Sequence, residues 1–177
     1  GFEGNKKKKS TVYEKNGMHA NGSTGVAVLR RDGFVSYSAQ KEKGTLVTRP
    51  VTFTGEYLFV NVNCPNGELK VEVLDADNKV IQGFSANDCK PLTVDSTIAQ
   101  IRWKNKKDLS TLKSQSVRFK FYLTNGDLYS FWVSPDTEGA SNGYNAAGGP
   151  GFSGGIDKEG MRAYKKAQDF PNLLERC

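Results

Sequence analysis

Leu69, Val71 and Val73 alternate with Glu68, Lys70 and Glu72. A period of two puts one set on a buried face and the other in water, which predicts a half-buried strand. The same pattern returns where Val117, Phe119, Phe121 and Leu123 alternate with Arg118, Lys120, Tyr122 and Thr124. Asn125-Gly126 follows, then a second β-prone run over 128–133. Two such runs joined by Asn-Gly predict a hairpin. Residues 57–63 are apolar on both faces at first, as a central strand requires, and Pro65-Asn66-Gly67 then turns the chain.

Residues 25–31 and 34–40 are two further β-prone stretches split by Asp32-Gly33, a second hairpin signal. A strand over 46–53 carries Pro50, which places it at an edge or a bulge. Val80-Ile81 and 98–103 complete a set of about nine or ten strands, with a single helical turn over 108–114 as the one interruption. Turn signals at this spacing predict an all-β fold, an antiparallel β-sandwich of jelly-roll type. Residues 1–23 read as a basic, glycine-rich arm or the end of a preceding domain, 24–138 as the sandwich, 139–156 as a Gly-rich linker and 157–177 as a helical tail. Asp157 is placed to cap a helix running to Gln168, with Met161, Tyr164, Ala167 and Phe170 on one face and Gly160 weakening it.

The 177 residues are 37% hydrophobic and 25% charged, a globular balance long enough to bury about two-thirds of the unfolded surface. The net charge of +6 is partly held in Lys6-Lys7-Lys8-Lys9 and Lys104-Asn105-Lys106-Lys107. Such runs can meet an acidic partner, but neither interleaves with aromatic residues as a single-strand nucleic-acid groove does, so solvated loops are the simpler reading. The chain contains no run of 18 apolar residues, hence no helical membrane span is expected. It opens on Gly1 rather than Met, which points to a processed product or a piece of a longer polypeptide.

Chemistry is sparsely signalled. His19 is the only histidine and lies in a polar, glycine-flanked stretch, a poor place to hold a general base beside a nucleophile. Three cysteines and one histidine have no zinc spacing. Cys64 and Cys89 are a disulfide candidate, Cys177 is left over, and Asn21-Gly22-Ser23 is an N-glycosylation candidate for a secreted chain. Asp75-Ala76-Asp77-Asn78 begins like a calcium loop but continues with Lys79 and Val80, so it reads as a turn. Nothing here calls for a cofactor. Glycoside hydrolysis needs two opposed carboxylates. Asp32, Asp95, Asp127 and Asp136 are the candidates, two of them in turns where Asp is favoured for geometry alone. Exposed aromatic faces beside polar groups are the usual platform for sugars; Tyr144, Tyr129, Trp132 and Trp103 are the candidates, with the two tryptophans also suited to a core.

The wording of the chain adds a further expectation. The stretch from Gly22-Ser23-Thr24-Gly25-Val26-Ala27 through Arg30-Arg31-Asp32-Gly33-Phe34 resembles glycosidase-like proteins related to the five-bladed β-propeller hydrolases of the invertase and arabinanase type. Thr48-Arg49-Pro50, Leu58-Phe59-Val60-Asn61-Val62, Arg118-Phe119-Lys120-Phe121 and Ala146-Ala147-Gly148-Gly149-Pro150-Gly151 extend the likeness over about residues 20–152. In those proteins this region resembles the β-sandwich after the propeller, so the propeller's catalytic carboxylates would lie elsewhere and no catalytic residue carries over. The resemblance implies a secreted, non-catalytic accessory domain whose partner is the catalytic domain of the same protein. A carbohydrate-binding or lectin-like module, and a structural or assembly domain, are the alternatives.

Overall fold

A computed structural model of the chain describes residues 25, 29–145 and 151–168. Seven strands form: β1 Tyr37–Ala39, β2 Gly44–Val47, β3 Tyr57–Asn63, β4 Glu68–Leu74, β5 Asp95–Gln100, β6 Arg118–Thr124 and β7 Gly126–Ser134. A 3-10 turn spans Ser110–Leu112, and one helix, α1, spans Met161–Gln168. The strands make two antiparallel sheets, one of four in the order β1-β7-β3-β5 and one of three in the order β2-β6-β4. Among the described residues, successive strands lie in opposite sheets.

That alternation overturns the hairpin expected at Asn125-Gly126. β6 pairs with β2 and β4, whereas β7 pairs with β1 and β3, so the single connecting residue Asn125 carries the chain from one sheet to the other. The turn chemistry is nonetheless used. Asn125 takes a positive φ of 49°, and a Cβ on Gly126 would lie 2.6 Å from the Asn63 carbonyl oxygen, so only glycine fits. Both strands are apolar on one face, and burying those faces against each other outweighs pairing their edges. The Phe131 ring of β7 lies 5.1 Å from Phe121 and 5.8 Å from Phe119 of β6. Burying a side chain of this size stabilises the fold by about 1.5–3 kcal/mol.

The Asp32-Gly33 hairpin does not form either. Residues 31–34 are a turn in which the Gly33 amide donates to the Arg30 carbonyl at 2.9 Å, and β1 begins only at Tyr37. Arg30 and Arg31 leave strand geometry because their side chains are held by other elements, described below. Some shorter expected strands shrink to bridges, such as Val51 with Val117 and Leu74 with Val80. Pro50 does sit just beyond an edge strand, since β2 ends the three-stranded sheet.

β3 is buried along nearly its whole length, as a central strand should be. Its inner residues Leu58, Val60 and Val62 join Leu69, Val71 and Val73 of β4 in one core. Its outer face is covered by residues 136–145 and 151–168. Gly139 and Ala140, expected within a linker, are instead buried there, and so is Ala163 of α1. α1 starts four residues later than Asp157 because Gly160 adopts φ +57°. A Cβ at Gly160 would come within 2.1 Å of the Glu138 carbonyl oxygen. The helical face buries Ala163, while Tyr164 stays exposed; Phe170 lies outside the described residues.

Candidate functional site

The densest polar and aromatic constellation lies on the outer face of the four-stranded sheet. Asn61 of β3 is fully buried there, a polar residue inside the apolar run Leu58-Phe59-Val60-Asn61-Val62. A buried carboxamide needs partners on both of its atoms. Arg30 Nε donates to Asn61 Oδ1 at 2.6 Å, and Asn61 Nδ2 donates to the Arg31 carbonyl. Arg30 also donates from Nη1 to Asp95 of β5 at 2.5 Å and from Nη2 to the Val62 carbonyl at 3.0 Å. Its guanidinium lies 4.8 Å above the Tyr129 ring.

Tyr129 reaches this face through a bulge. The β3–β7 register steps from Asn61 opposite Ser130 to Val62 opposite Leu128, leaving Tyr129 as an extra residue. The bulge separates Tyr129 from Phe131, which a strict period of two would put on one face.

Arg31 reaches the other way. Its Nη2 donates to Asp157 Oδ2 at 2.6 Å, and its guanidinium lies 5.3 Å from the Phe152 ring and 5.9 Å from Trp132. Asp157 is fully buried and also accepts from the backbone amides of Ser141, Glu159 and Gly160. Burial alone would raise the Asp157 carboxyl, but the Arg31 guanidinium and the amides hold it below the usual carboxylate range. Burial would lower Arg31, yet its hydrogen bond to Asp157 keeps it raised. Trp132 stacks on Phe59 at 5.9 Å and donates from Nε1 to the Gly139 carbonyl at 3.0 Å. The constellation is a clamp. It ties the segment at residues 30–31 to β3, β5, β7 and the segment before α1, and its carboxylates are neutralised by guanidinium groups. It offers no free base.

A second cluster lies on the outer face of the three-stranded sheet. The Tyr122 hydroxyl donates to Glu72 Oε1 at 2.6 Å, and Lys120 Nζ lies 3.2 Å from the same oxygen. Burial and the Glu72 hydrogen bond push the Tyr122 hydroxyl up, and the neighbouring Tyr122 and Glu72 push Lys120 up. Both shifts hold the groups protonated, the reverse of an activated nucleophile or amine base. Glu72 faces Lys120 directly in the β4–β6 register, so the cluster reads as cross-strand pairing.

The four aromatic candidates do not converge. Trp103 is buried, donates from Nε1 to the Val71 carbonyl at 3.1 Å and meets Phe84 edge-on, so it is core. Trp132 and Tyr129 are half-buried within the clamp, and only Tyr144, 87% exposed, presents an open ring. The disulfide between Cys64 and Cys89 is not formed. Both are buried thiols engaged elsewhere: Cys64 Sγ points at the Leu92 carbonyl, and Cys89 Sγ accepts from the Val71 amide. Burial pushes the Cys89 thiol up.

The carboxylate candidates are also dispersed. Asp95 is paired with Arg30, Asp127 accepts from Ser36 and Ser38, and Asp136 accepts from the amides of Glu138 and Gly139. Asp32 is exposed in its turn. Asp75 accepts from the amides of Asp77 and Lys79, which is turn geometry. Among the described residues no group of three or more His, Cys, Asp and Glu could hold a metal ion, and no helix is long and apolar enough to cross a membrane. His19, Asn21, Cys177 and Lys6 to Lys9 lie outside the described residues.

Sequence reasoning missed Arg30, Arg31, Asn61 and the pairing role of Asp157. Asn61 carried a usable signal, an amide inside the apolar run of residues 58–62, preceded in the chain by two adjacent arginines. No protein-family model and no curated protein matches this chain.

Proposed function

We propose that the chain is a non-catalytic accessory domain, a β-sandwich of jelly-roll type, in a secreted glycoside-hydrolase-like protein, where it packs against the catalytic domain. The fold part of this reading is supported by the strand orders β1-β7-β3-β5 and β2-β6-β4 with strict alternation between sheets. The Leu92 segment, bridged to Leu69 on the free edge of β4, takes the place of an eighth strand, the number a jelly roll uses.

The observation that carries the packing role is an apolar patch beside the arginine clamp. Phe34 and Val35 are 80% and 77% exposed, with Leu29 exposed nearby in sequence. A groove of about 480 Å³ continues from Val35 along Tyr37, Leu46, Leu128 and Phe131. Adjacent exposed apolar groups beside such a groove mark an interaction surface. The occupant that fits is the catalytic domain of the same polypeptide. Residues 29–31 run directly into the patch, and the clamp gives that entry a fixed direction. The carboxylate candidates do not converge on one place, and Asp95 is held by Arg30, which supports a role without catalysis in this domain.

The test is hydrolysis and association measured side by side. The purified chain, assayed on aryl glycosides and on arabinan, levan and xylan, is expected to release no sugar. It is expected to bind the separately produced catalytic domain in calorimetry, with Phe34→Ser and Val35→Ser together weakening that binding at least about tenfold. Sugar release by the chain alone overturns the reading, as does association that the double substitution leaves unchanged.

A further inference from the structure

At one end of the four-stranded sheet, where β1, β3 and β7 meet, lies a hollow of about 450 Å³. Gln40, Asn63, Asn66 and Asp127 line it, with Pro65 and Ala39 as apolar wall. The backbone shapes it. Ser38, Asp127 and Asn63 stand opposite one another across β1, β7 and β3. Gly126, where a side chain would strike Asn63 and Cys64, keeps the neighbouring wall flat. Asp127 is fixed by the hydroxyls of Ser36 and Ser38 on one oxygen, Oδ1. Its other oxygen, and the side-chain amides of Gln40, Asn63 and Asn66, make no hydrogen bond among the described residues. Asn125 Nδ2 is used internally, on the Asn66 carbonyl at 3.3 Å.

We infer that this hollow binds a neutral saccharide. Three carboxamides both donate and accept, and one carboxylate oxygen accepts, which matches hydroxyl groups that also do both. An anion would face Asp127 with no compensating cation among these lining residues. A hard cation would find one carboxylate where such ions gather several charged oxygens. Exposed Pro65 offers C–H groups to the face of a sugar ring, and the volume is within the range of a small-ligand site. The inference deepens the accessory-domain reading and rests on it: the domain would hold a glycan chain beside the catalytic domain rather than cleave it.

The whole chain is titrated by calorimetry and by saturation-transfer NMR with tetrasaccharides of arabinose, fructose, xylose and glucose, and separately with calcium chloride. One tetrasaccharide is expected to bind. Gln40→Ala and Asn66→Ala, both at exposed positions, are expected to weaken it about three- to tenfold each, and Tyr144→Ala to leave it unchanged. Circular dichroism of the two variants checks that the fold is kept. The site is overturned if no tetrasaccharide binds, if the hollow variants bind as the parent does, if Tyr144→Ala alone abolishes binding, or if calcium binds and displaces the sugar. Product release is followed in the same samples. Hydrolysis there sinks the accessory reading, whereas absent binding without hydrolysis sinks only the saccharide site.

Discussion

The two sheets present opposite outer faces. The three-stranded sheet shows water a row of Glu68, Lys70, Lys120 and Tyr122, with Glu72 tucked among them. The four-stranded sheet hides Phe59 and Asn61 beneath Arg30, Arg31, the Gly139 backbone and the segment before α1. One face is solvated and its pairs are exchangeable. The other is a second interior, closed by ion pairs and glycine-enabled contacts. The difference teaches that the segments flanking the strands are part of this fold on one side only, so damage to them should register there and not across the molecule.

The largest effect should follow from opening the buried ion pair. Asp157→Ala leaves Arg31 without its buried counter-charge and removes the acceptor for three amides. A loss of about 3–5 kcal/mol in urea denaturation is expected. Hydrogen exchange should rise over residues 151–168 before it rises in β4 or β6. A uniform rise would erase the distinction between the faces.

Gly160→Ala comes next, at about 1–3 kcal/mol, because a Cβ would meet the Glu138 carbonyl at 2.1 Å with φ at +57°. On the open face, Glu72→Gln should cost about 0.5–1.5 kcal/mol, since it retains an acceptor for Tyr122 but loses the charge facing Lys120 and the oxygen that accepts from the Ala86 amide.

The acid response sharpens the same contrast. The Asp157 carboxyl is depressed in the folded state, so its stabilisation is complete above the ordinary unfolded value of about 3.9 and fades as pH falls through the folded value. Circular dichroism between pH 5 and pH 2 should show an acid transition below about pH 4 that Asp157→Asn flattens. Smallest of all, Tyr144→Ala should shift stability within about ±0.5 kcal/mol, as an exposed ring with no partner in a core.

The strands were legible where the alternation was clean. β6 follows its period of two residue by residue, and β4 does so over residues 68–71 before Glu72 and Leu74 are buried as well. β3 was legible as central because both of its faces are apolar. What could not be read was which sheet each strand joins. Asn-Gly signals a tight reversal, and the same two residues serve a hairpin or a step between sheets. The choice depends on which apolar faces meet, a property of the whole chain. The clamp was illegible for a related reason. Arg30 and Asn61 are 31 positions apart, and Arg31 and Asp157 are 126 apart, so no local pattern joins them. The bulge at Tyr129 was hidden too, since one inserted residue reverses a face without changing composition.

Cys64 and Cys89 sit unbridged in the core with relative exposures of 0% and 1%. Once Cys177 is replaced by serine, each becomes an internal reporter. A thiol reagent can reach them only when the sheets part, so the labelling rate counts opening events under native conditions. The flanking segments can loosen without changing it.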